Sequence, residues 1–326
     1  AKLITHESGL CLKDTLHEVE RVCNGLFYAA ETVPKIEEDT THKYIDGDNT
    51  NPILRVISEP LDLVLGITPF NHPMNQVMHK IAPCVVAGSS MVLKPSAKTP
   101  LSAIKLVEIL HEEGLPNNMI NVITTDNAKQ FLDIALKLKL AQLVSFTGGV
   151  EVGKYIARQI GISDNLIRYV PELGGNSSFT VLEDADIDLS VERAMNAFAN
   201  SGQRCTSIRR ILLHNSVADL FIEKFLKKVE KIKYGDPMNI MTDMGTVINE
   251  NAAMIIQGRV DNAVKDGAEL LYGNKRDRAL YSPTLLDNVN FKSELVANET
   301  FGPVAPIIRI NNVEGAIKII NSVNHR

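Results

Sequence analysis

The sequence FANSGQRCT at residues 198–206 places one cysteine between a helical pattern and a strand pattern. Upstream, apolar residues recur at the i, i+3, i+4, i+7 spacing of a buried helix face: Val191, Ala194, Met195 and Phe198. Gly202 is expected to end this helix, because glycine adopts the left-handed closing conformation without steric cost. A strand pattern follows at residues 208–214. Cys205 is therefore expected in a tight connection between two rigid elements, where a thiol is a candidate nucleophile.

A cysteine in such a connection has a second interpretation, since free cysteine is among the most buried residue types and can simply fill a core. Five further motifs favour the nucleophile. In chain order they are PFNHP (69–73), KPS (94–96), FTGG (146–149), ELGGN (172–176) and ETFGP (299–303). In this order and at these separations, the motifs resemble the aldehyde dehydrogenase superfamily across nearly the whole chain.

The bulk properties fit a soluble globular protein of the reducing cytoplasm. The 326 residues suffice for two domains, and a net charge of −5 excludes the basic stripe of a nucleic-acid surface. No apolar run approaches the roughly 20 residues of a membrane span. The four cysteines show neither disulfide nor metal-ligand spacing: Cys11, Cys23, Cys84 and Cys205. We expect no membrane, nucleic-acid or metal partner.

Alternating strand and helix patterns predict an α/β fold. A parallel, Rossmann-type sheet is expected from strands at residues 61–68, 90–94, 121–125 and 143–147. Further strands are expected at 179–182, 208–214 and 305–310, with helices at 219–232 and 252–266. Residues 1–33 read as one helix, with Glu18 and Arg21 outside its apolar face.

The domain organisation follows from the resemblance. It implies an NAD(P)-binding domain at residues 1–174 and a catalytic domain at 175–326. Within the first domain, residues 45–64 are expected to form a protruding hairpin that joins subunits into a homodimer or homotetramer; an ordinary surface hairpin fits the residues equally well. The family has segments before and after this chain, so we expect a fragment, or a protein shortened at both ends.

The resemblance also implies a mechanism. Cys205 matches the nucleophile, and Asn71 matches the asparagine that stabilises the oxyanion together with the backbone N–H of the nucleophile. Glu172 matches the general base that activates water to release the acid from a thioester. Taken alone, Asn71 could be a turn residue before His72, and Glu172 could be a cap before two glycines.

The cofactor is expected to be NADP or NAD. A glycine-rich loop enters a helix at Gly148, Gly149 and Gly153, and backbone N–H groups at a helix N-terminus attract phosphate. The family places a ribose-binding lysine at Lys94 and, in members that prefer NAD, a glutamate at the position of Ala97. Since alanine does not repel a 2′-phosphate, NADP is slightly favoured. The remaining cofactor residues implied by the family are Thr68, Pro69, Phe70, Ser96, Leu173, Glu299 and Phe301.

The substrate is expected to be a short anionic aldehyde. QRCT (203–206), YGDP (234–237) and DMGT (243–246) resemble the phosphonoacetaldehyde dehydrogenases most closely, and then the non-phosphorylating glyceraldehyde-3-phosphate dehydrogenases. A guanidinium offers a fork for a phosphorus dianion, and Arg204 precedes the nucleophile. Arg21 and His72 align with positions that line the same pocket. Phosphonoacetaldehyde is therefore the first candidate, with glyceraldehyde 3-phosphate, a semialdehyde or lactaldehyde as alternatives.

Each substrate residue has another interpretation. Arg204 could form a structural ion pair, and Arg21 could be a solvated helix charge. Arg209 and Arg210, on the strand after the cysteine, are read as structural. A different class of function also stays open, a non-catalytic nucleotide-binding relative, although retention of all three catalytic residues argues against it.

Overall fold

The computed structural model describes residues 1–39, 42–44, 54–56 and 58–323. The chain divides into two units, which we call the central unit (His17–Leu173) and the terminal unit (Ala1–Leu16 with Gly174–Arg326). The sequence predicted a single domain over residues 1–174. The first sixteen residues instead belong to the terminal unit.

Most of the helices predicted from the sequence are present in the structure. The helices are α1 (Lys2–Ser8), α2 (Leu12–Asp39), α3 (Asn75–Val86), α4 (Leu101–Glu112), α5 (Ala128–Lys137), α6 (Val150–Gly161), α7 (Ile187–Ala194), α8 (Asn215–Val229), α9 (Glu250–Lys265), α10 (Glu294–Ala297) and α11 (Val313–Ile320). The single helix predicted over residues 1–33 is wrong. Gly9 has φ of 75° and ends α1, because this left-handed conformation closes a helix.

Strands occur at or close to the seven predicted positions, and also at positions where the sequence predicted none. They are β1 (His42–Tyr44), β2 (Leu54–Val56), β3 (Leu63–Ile67), β4 (Ser90–Lys94), β5 (Ile120–Val122), β6 (Leu143–Thr147), β7 (Arg168–Glu172), β8 (Ser177–Val181), β9 (Ile208–His214), β10 (Glu269–Tyr272), β11 (Arg276–Asp277), β12 (Leu280–Tyr281), β13 (Thr284–Asp287) and β14 (Val304–Ile310).

The hairpin expected at residues 45–64 is only partly described. β2 pairs antiparallel with β1. The expected hairpin range also includes the start of the strand predicted at residues 61–68. That strand, β3, lies in a parallel sheet instead. Residues 45–53 and 57 are outside the described residues, and the role in subunit assembly stays a prediction.

The central unit contains a five-stranded sheet in the order β5-β4-β3-β6-β7, with every pair parallel. The strand order reverses beside β3, and ligands bind at the carboxyl ends of strands at such a switch point. Neighbouring residues of β3 face opposite sides: Val64 packs with α3 and α4, and Leu65 packs with α5 and α6. The predicted Rossmann-type α/β architecture is confirmed.

The terminal unit contains a second five-stranded sheet, in the order β10-β13-β14-β9-β8. All its pairs are parallel except β10 with β13. Buried apolar residues alternate along β9, so that Ile211 packs with α8 and Leu212 with α9. Among the described residues, no helix has the length and apolar character that a bilayer span requires.

Candidate active site

Cys205 lies in a loop with an unusual backbone. α7 ends early, and two short 3-10 turns lead to Gly202, so the helix is shorter than the apolar spacing predicted. φ is positive at Asn200, Ser201 and Gly202, with values of 57°, 53° and 68°. The left-handed conformation predicted for Gly202 is confirmed. A Cβ there would also overlap the carbonyl of Gly302, so glycine alone fits this position.

Hydrogen bonds within the terminal unit hold this loop. The N–H of Asn200 donates to Oδ2 of Asp14 at 3.2 Å, and Oε1 of Gln203 accepts from the N–H of Ile248 at 2.9 Å. A left-handed non-glycine residue costs about 1–3 kcal/mol and persists only where its surroundings enforce it. The thiol is half-buried. The loop therefore combines a fixed backbone with an accessible sulfur, as a nucleophile requires.

Two other predicted motifs adjoin the Cys205 loop. A Cβ on Gly175 would lie 2.5 Å from the carbonyl oxygen of Cys205, and the N–H of Gly175 donates to Oε1 of Glu299 at 3.1 Å. The Phe301 ring lies 5.0 Å from the guanidinium of Arg209. The terminal unit thus brings the nucleophile motif, the second half of ELGGN and the ETFGP motif into one neighbourhood.

Arg204, the residue before Cys205, contributes a guanidinium to this loop. The residue is half-buried, and its carbonyl accepts hydrogen bonds from Ser207 and Arg209. In the described ranges, its side chain forms no hydrogen bond or salt bridge. The structural ion pair that the sequence left open is therefore not seen in this part of the chain.

The predicted cofactor residues of the central unit follow the carboxyl ends of its strands. Thr68, Pro69 and Phe70 follow β3; Lys94, Ser96 and Ala97 end or follow β4; Gly148, Gly149 and Gly153 follow β6; Leu173 follows β7. Gly149 begins α6, and a Cβ on it would meet no atom within 4 Å. The first turn of α6 is thus open for a phosphate, which helix N-termini attract.

A pocket of about 380 Å³ lies at the same edge, between α5 and α6. Its walls are mainly apolar, formed by Ile67, Leu132, Val152 and Ile156 with the stem of Lys94. Lys94 is buried, its Nζ donates to the carbonyl of Pro95 at 3.1 Å, and burial lowers its pKa. Lys129, Glu151 and Tyr155 also line the pocket, and a mainly apolar pocket with a few polar groups suits an aromatic heterocycle such as adenine.

Glu172 ends β7, and its side chain is exposed. Its carbonyl accepts from the N–H of Gly148 at 3.0 Å. Lys80, on α3, is buried and donates to Oγ of Ser145 at 2.9 Å and to Oγ1 of Thr147 at 3.0 Å. Burial lowers the pKa of Lys80 to about 8, and the charge of Glu172 opposes that change. The predicted base therefore has a buried ammonium as its electrostatic neighbour.

Asn71 is buried just before α3. The start of α3 is capped by Glu18, whose Oε1 accepts from the N–H groups of Met74 and Asn75 at 2.9 Å each. Oε2 of Glu18 lies 3.5 Å from Nδ1 of His72. The sequence placed Glu18 outside the apolar face of α2, and this was wrong: its carboxylate is buried because it supplies the cap that α3 lacks.

Basic side chains accumulate near this capped end of α3. Burial lowers the pKa of His79, and the positive charges of Arg21, Lys80 and His72 lower it further. Arg21 is exposed on α2, as expected for either of its two interpretations. The two substrate residues predicted in the central unit, Arg21 and His72, therefore both lie near His79, and the Glu18 carboxylate lies beside His72.

Sequence reasoning missed Lys80 and Glu18 and assigned Arg209 only a structural role. The signal for Lys80 was its position on the apolar face of α3, between the buried residues Val77 and Cys84. Glu18 likewise occupies the buried face of α2, four residues before Val22. A charged residue at a core-facing helical position needs a partner, and this rule would have identified both.

Comparison with known proteins identifies the family of this chain. Residues 1–325 match the model of the aldehyde dehydrogenase family. The chain is 33% identical over 326 residues to the 3-sulfolactaldehyde dehydrogenase of Priestia megaterium, covering all of this chain and 67% of the relative. It is 35% identical over 327 residues to the sulfoacetaldehyde dehydrogenase of Neptuniibacter caesariensis, covering 99% of this chain and 70% of the relative.

A solved structure gives the same result. The NADP-dependent glyceraldehyde-3-phosphate dehydrogenase of Bacillus halodurans, complexed with NADP, superposes with a TM-score of 0.92 at 36% identity. The match covers 99% of this chain and 67% of that protein. The chain thus spans about two thirds of the length of these three proteins.

Proposed function

Because the chain belongs to the aldehyde dehydrogenase family, we propose that it oxidises a short anionic aldehyde to its carboxylic acid, with NADP or NAD as hydride acceptor. The observation that carries this proposal is the loop of Cys205, whose left-handed backbone and half-buried thiol suit a fixed nucleophile. Aldehyde, water and oxidised cofactor give the acid, the reduced cofactor and a proton.

The nucleophile forms a covalent intermediate. The thiolate of Cys205 adds to the aldehyde carbon, and the carbonyl oxygen becomes an oxyanion. We assign stabilisation of that oxyanion to the side-chain amide of Asn71 and the backbone N–H of Cys205. One such donor is typically worth about 3 kcal/mol in the transition state. Loss of hydride from the same carbon leaves a thioester on Cys205.

Hydrolysis of the thioester is assigned to Glu172. Its exposed carboxylate takes a proton from water, which attacks the thioester carbon and releases the acid and the thiol. The ammonium of Lys80 is the electrostatic neighbour of this carboxylate. Glu172 also supports oxidation to the free acid, because relatives that pass the acyl group to coenzyme A usually lack it.

The bound cofactor supplies the hydride acceptor. In the central unit, the open first turn of α6 at Gly149 and the apolar pocket beside Lys94 fit a dinucleotide with its pyrophosphate and adenosine. In the terminal unit, Glu299 and Phe301 are assigned to the nicotinamide ribose and ring. Ala97 is exposed and uncharged, which supports NADP over NAD.

The substrate is proposed to carry a tetrahedral anion, with phosphonoacetaldehyde as the first candidate. Arg204 has no ion pair in the described ranges, and Arg21 and His72 are basic residues that both lie near His79. Relatives named for sulfolactaldehyde, sulfoacetaldehyde and glyceraldehyde 3-phosphate support an anion of this shape. The two sulfonate relatives favour sulfoacetaldehyde as the second candidate. Assembly into a homodimer or homotetramer, and a cytoplasmic location, stay predictions.

The test is a steady-state screen with NADP and with NAD. Phosphonoacetaldehyde, sulfoacetaldehyde and glyceraldehyde 3-phosphate are compared with propanal, which has no anion. If Arg204 binds the anionic group of the substrate, Arg204→Ala should raise KM for the preferred anionic aldehyde by roughly 10- to 150-fold, the scale of a charged hydrogen bond. It should scarcely affect propanal.

Arg193→Ala is the matched control, since Arg193 is an exposed arginine of the same unit. It should change neither KM. A structural role of Arg204 predicts a different result, a lower Tm with equal losses on charged and uncharged aldehydes. That result would remove Arg204 from substrate binding.

A further inference from the structure

Arg209 is a buried arginine of the terminal unit that contacts the backbone of two segments, the Cys205 loop and the segment around Thr300. It is the second residue of β9, and only 3% of it is exposed. Its Nη1 donates to the carbonyls of Gly202 at 2.5 Å and Thr300 at 2.9 Å, and its Nη2 donates to the carbonyl of Arg204 at 2.6 Å. One guanidinium therefore joins the Cys205 loop to the segment that contains Glu299 and Phe301.

The bond to Arg204 matters most for chemistry. The carbonyl of Arg204 and the N–H of Cys205 belong to the same peptide unit, which is planar and trans. A donor that fixes the carbonyl direction therefore fixes the direction of that N–H. Ser207 donates its N–H to the same carbonyl at 3.1 Å, so two donors set this peptide plane.

The buried charge itself points to a role beyond packing. Burial lowers the pKa of Arg209 to about 10, against the opposing charges of Glu299 and Cys205. Its Nε is buried without a hydrogen-bond partner among the described residues, and the Glu299 carboxylate lies 3.9 Å from Nη2. Burying an incompletely paired cation is expensive, and an apolar side chain of similar size would fill the same volume.

The next residue provides a comparison within the same strand. Arg210 is also buried, and it donates to the carbonyls of Asn176 and Ile319. These bonds reach neither the Cys205 loop nor the Glu299–Phe301 segment. The two arginines are therefore alike in burial and in bonding to backbone carbonyls. They differ in the segments of backbone to which they donate.

We propose that Arg209 is a positioning residue that sets the peptide plane before Cys205, and with it the N–H assigned to the oxyanion, while holding the Glu299–Phe301 segment against the same loop. This inference rests on the proposed function for the role of the N–H. The role of Arg209 in the reactivity of Cys205 can be measured without any turnover.

The experiment compares Arg209→Met, Arg209→Lys and the control Arg210→Met in the full protein. For each we measure kcat and KM with the preferred aldehyde, Tm, and the rate at which iodoacetamide alkylates Cys205, followed by mass spectrometry. Arg209→Met should lower kcat about 100-fold, the scale of an oxyanion donor, with smaller changes in KM. It should slow alkylation by about tenfold, because the loop that presents the sulfur loses the two hydrogen bonds by which Arg209 holds it.

The controls separate positioning from stability. Arg210→Met should lower Tm at least as much as Arg209→Met, yet leave the alkylation rate and kcat near those of the unmodified protein. Arg209→Lys, which keeps the charge and several donors, should restore both quantities substantially. If Arg209→Met does not fold, Arg209→Gln replaces it with the same expected outcomes.

Equal losses of kcat and of alkylation rate in Arg209→Met and Arg210→Met would overturn the proposal, as would native rates in Arg209→Met. A protein that oxidises no aldehyde in the screen contradicts the proposed function instead. In that case the alkylation rates still decide whether Arg209 controls Cys205.

Discussion

The loop of Cys205 departs from regular secondary structure, whereas Glu172 ends a strand of a regular parallel ladder. The loop contains three consecutive residues with positive φ. It is held by the side chain of Asp14, which is distant in sequence, and by that of Arg209 on the following strand. The carboxylate of Glu172 is exposed and accepts no hydrogen bond among the described residues; its neighbour is the buried charge of Lys80. The structure thus fixes the proposed nucleophile through its backbone and tunes the proposed base through charge.

This difference predicts which substitutions remove a reacting atom and which change only the charge around the site. The largest effect is expected at Cys205, where the sulfur itself reacts. Cys205→Ala should lower aldehyde oxidation by roughly 10⁴- to 10⁶-fold, as loss of a nucleophile does, and leave the Kd for NADP within about twofold. Steady-state rates and fluorescence titration of the cofactor measure the two quantities. Cys23→Ala, at an exposed cysteine of α2, is the control and should be fully active. An active Cys205→Ala enzyme would end the assignment.

A second substitution tests the electrostatic side of the comparison. Folding lowers the pKa of Lys80 from 10.5 to about 8, so between these pH values the unfolded chain binds more protons than the folded chain. The destabilisation from burying the ammonium is fully present below pH 8 and disappears as pH rises to 10.5. Relative to Lys80→Met, the free energy of unfolding of the unmodified protein should therefore rise by up to about 3 kcal/mol across this window.

Denaturant unfolding of both proteins at pH 7, 8, 9 and 10 measures this difference. Lys80→Met should also lower kcat about tenfold at pH 7, the lower range of a general-base effect, because Glu172 loses its cationic neighbour. Parallel stability curves for the two proteins over pH 8–10 would show that Lys80 does not titrate in this range. Unchanged kcat would show that Glu172 does not depend on it.

The smallest effect is expected at Ala97, an exposed residue after β4. Ala97→Glu places a carboxylate where the 2′-phosphate of NADP is proposed to lie. It should raise the Kd for NADP about five- to tenfold, the scale of an exposed charge interaction, and leave the Kd for NAD unchanged. The neutral Ala97→Gln is the matched control for size. Equal affinity for NADP in the unmodified protein and in both variants would contradict the placement of the ribose.

Regular elements were predictable from the sequence because their signals are local. The strands that end at Lys94 and Thr147, and the helices between them, follow from apolar periodicity, turn residues and their alternation. The parallel sheet then places residues such as Thr68, Ala97 and Gly149 at one edge without further information. The sequence therefore predicted which residues lie at the strand ends of the central unit.

The loop of Cys205 could be predicted only in part. Gly202 gave a local signal, and its left-handed φ is confirmed. The same conformation at Asn200 and Ser201 has no local signal, since it depends on bonds to distant residues such as Asp14. The burial of Glu18 was misread for the same reason, because it is decided by a group from another element, the start of α3.

The most direct test of the central claim is to trap the acyl group on Cys205. Glu172→Gln should add the aldehyde and release about one reduced cofactor per chain in the first turnover, then stall, because hydrolysis lacks its base. Mass spectrometry of the quenched protein should find the acyl group on the peptide that contains Cys205. The double variant Cys205→Ala with Glu172→Gln should give neither burst nor adduct. Continued turnover of Glu172→Gln at the native rate, or a burst without an adduct on Cys205, would contradict the account.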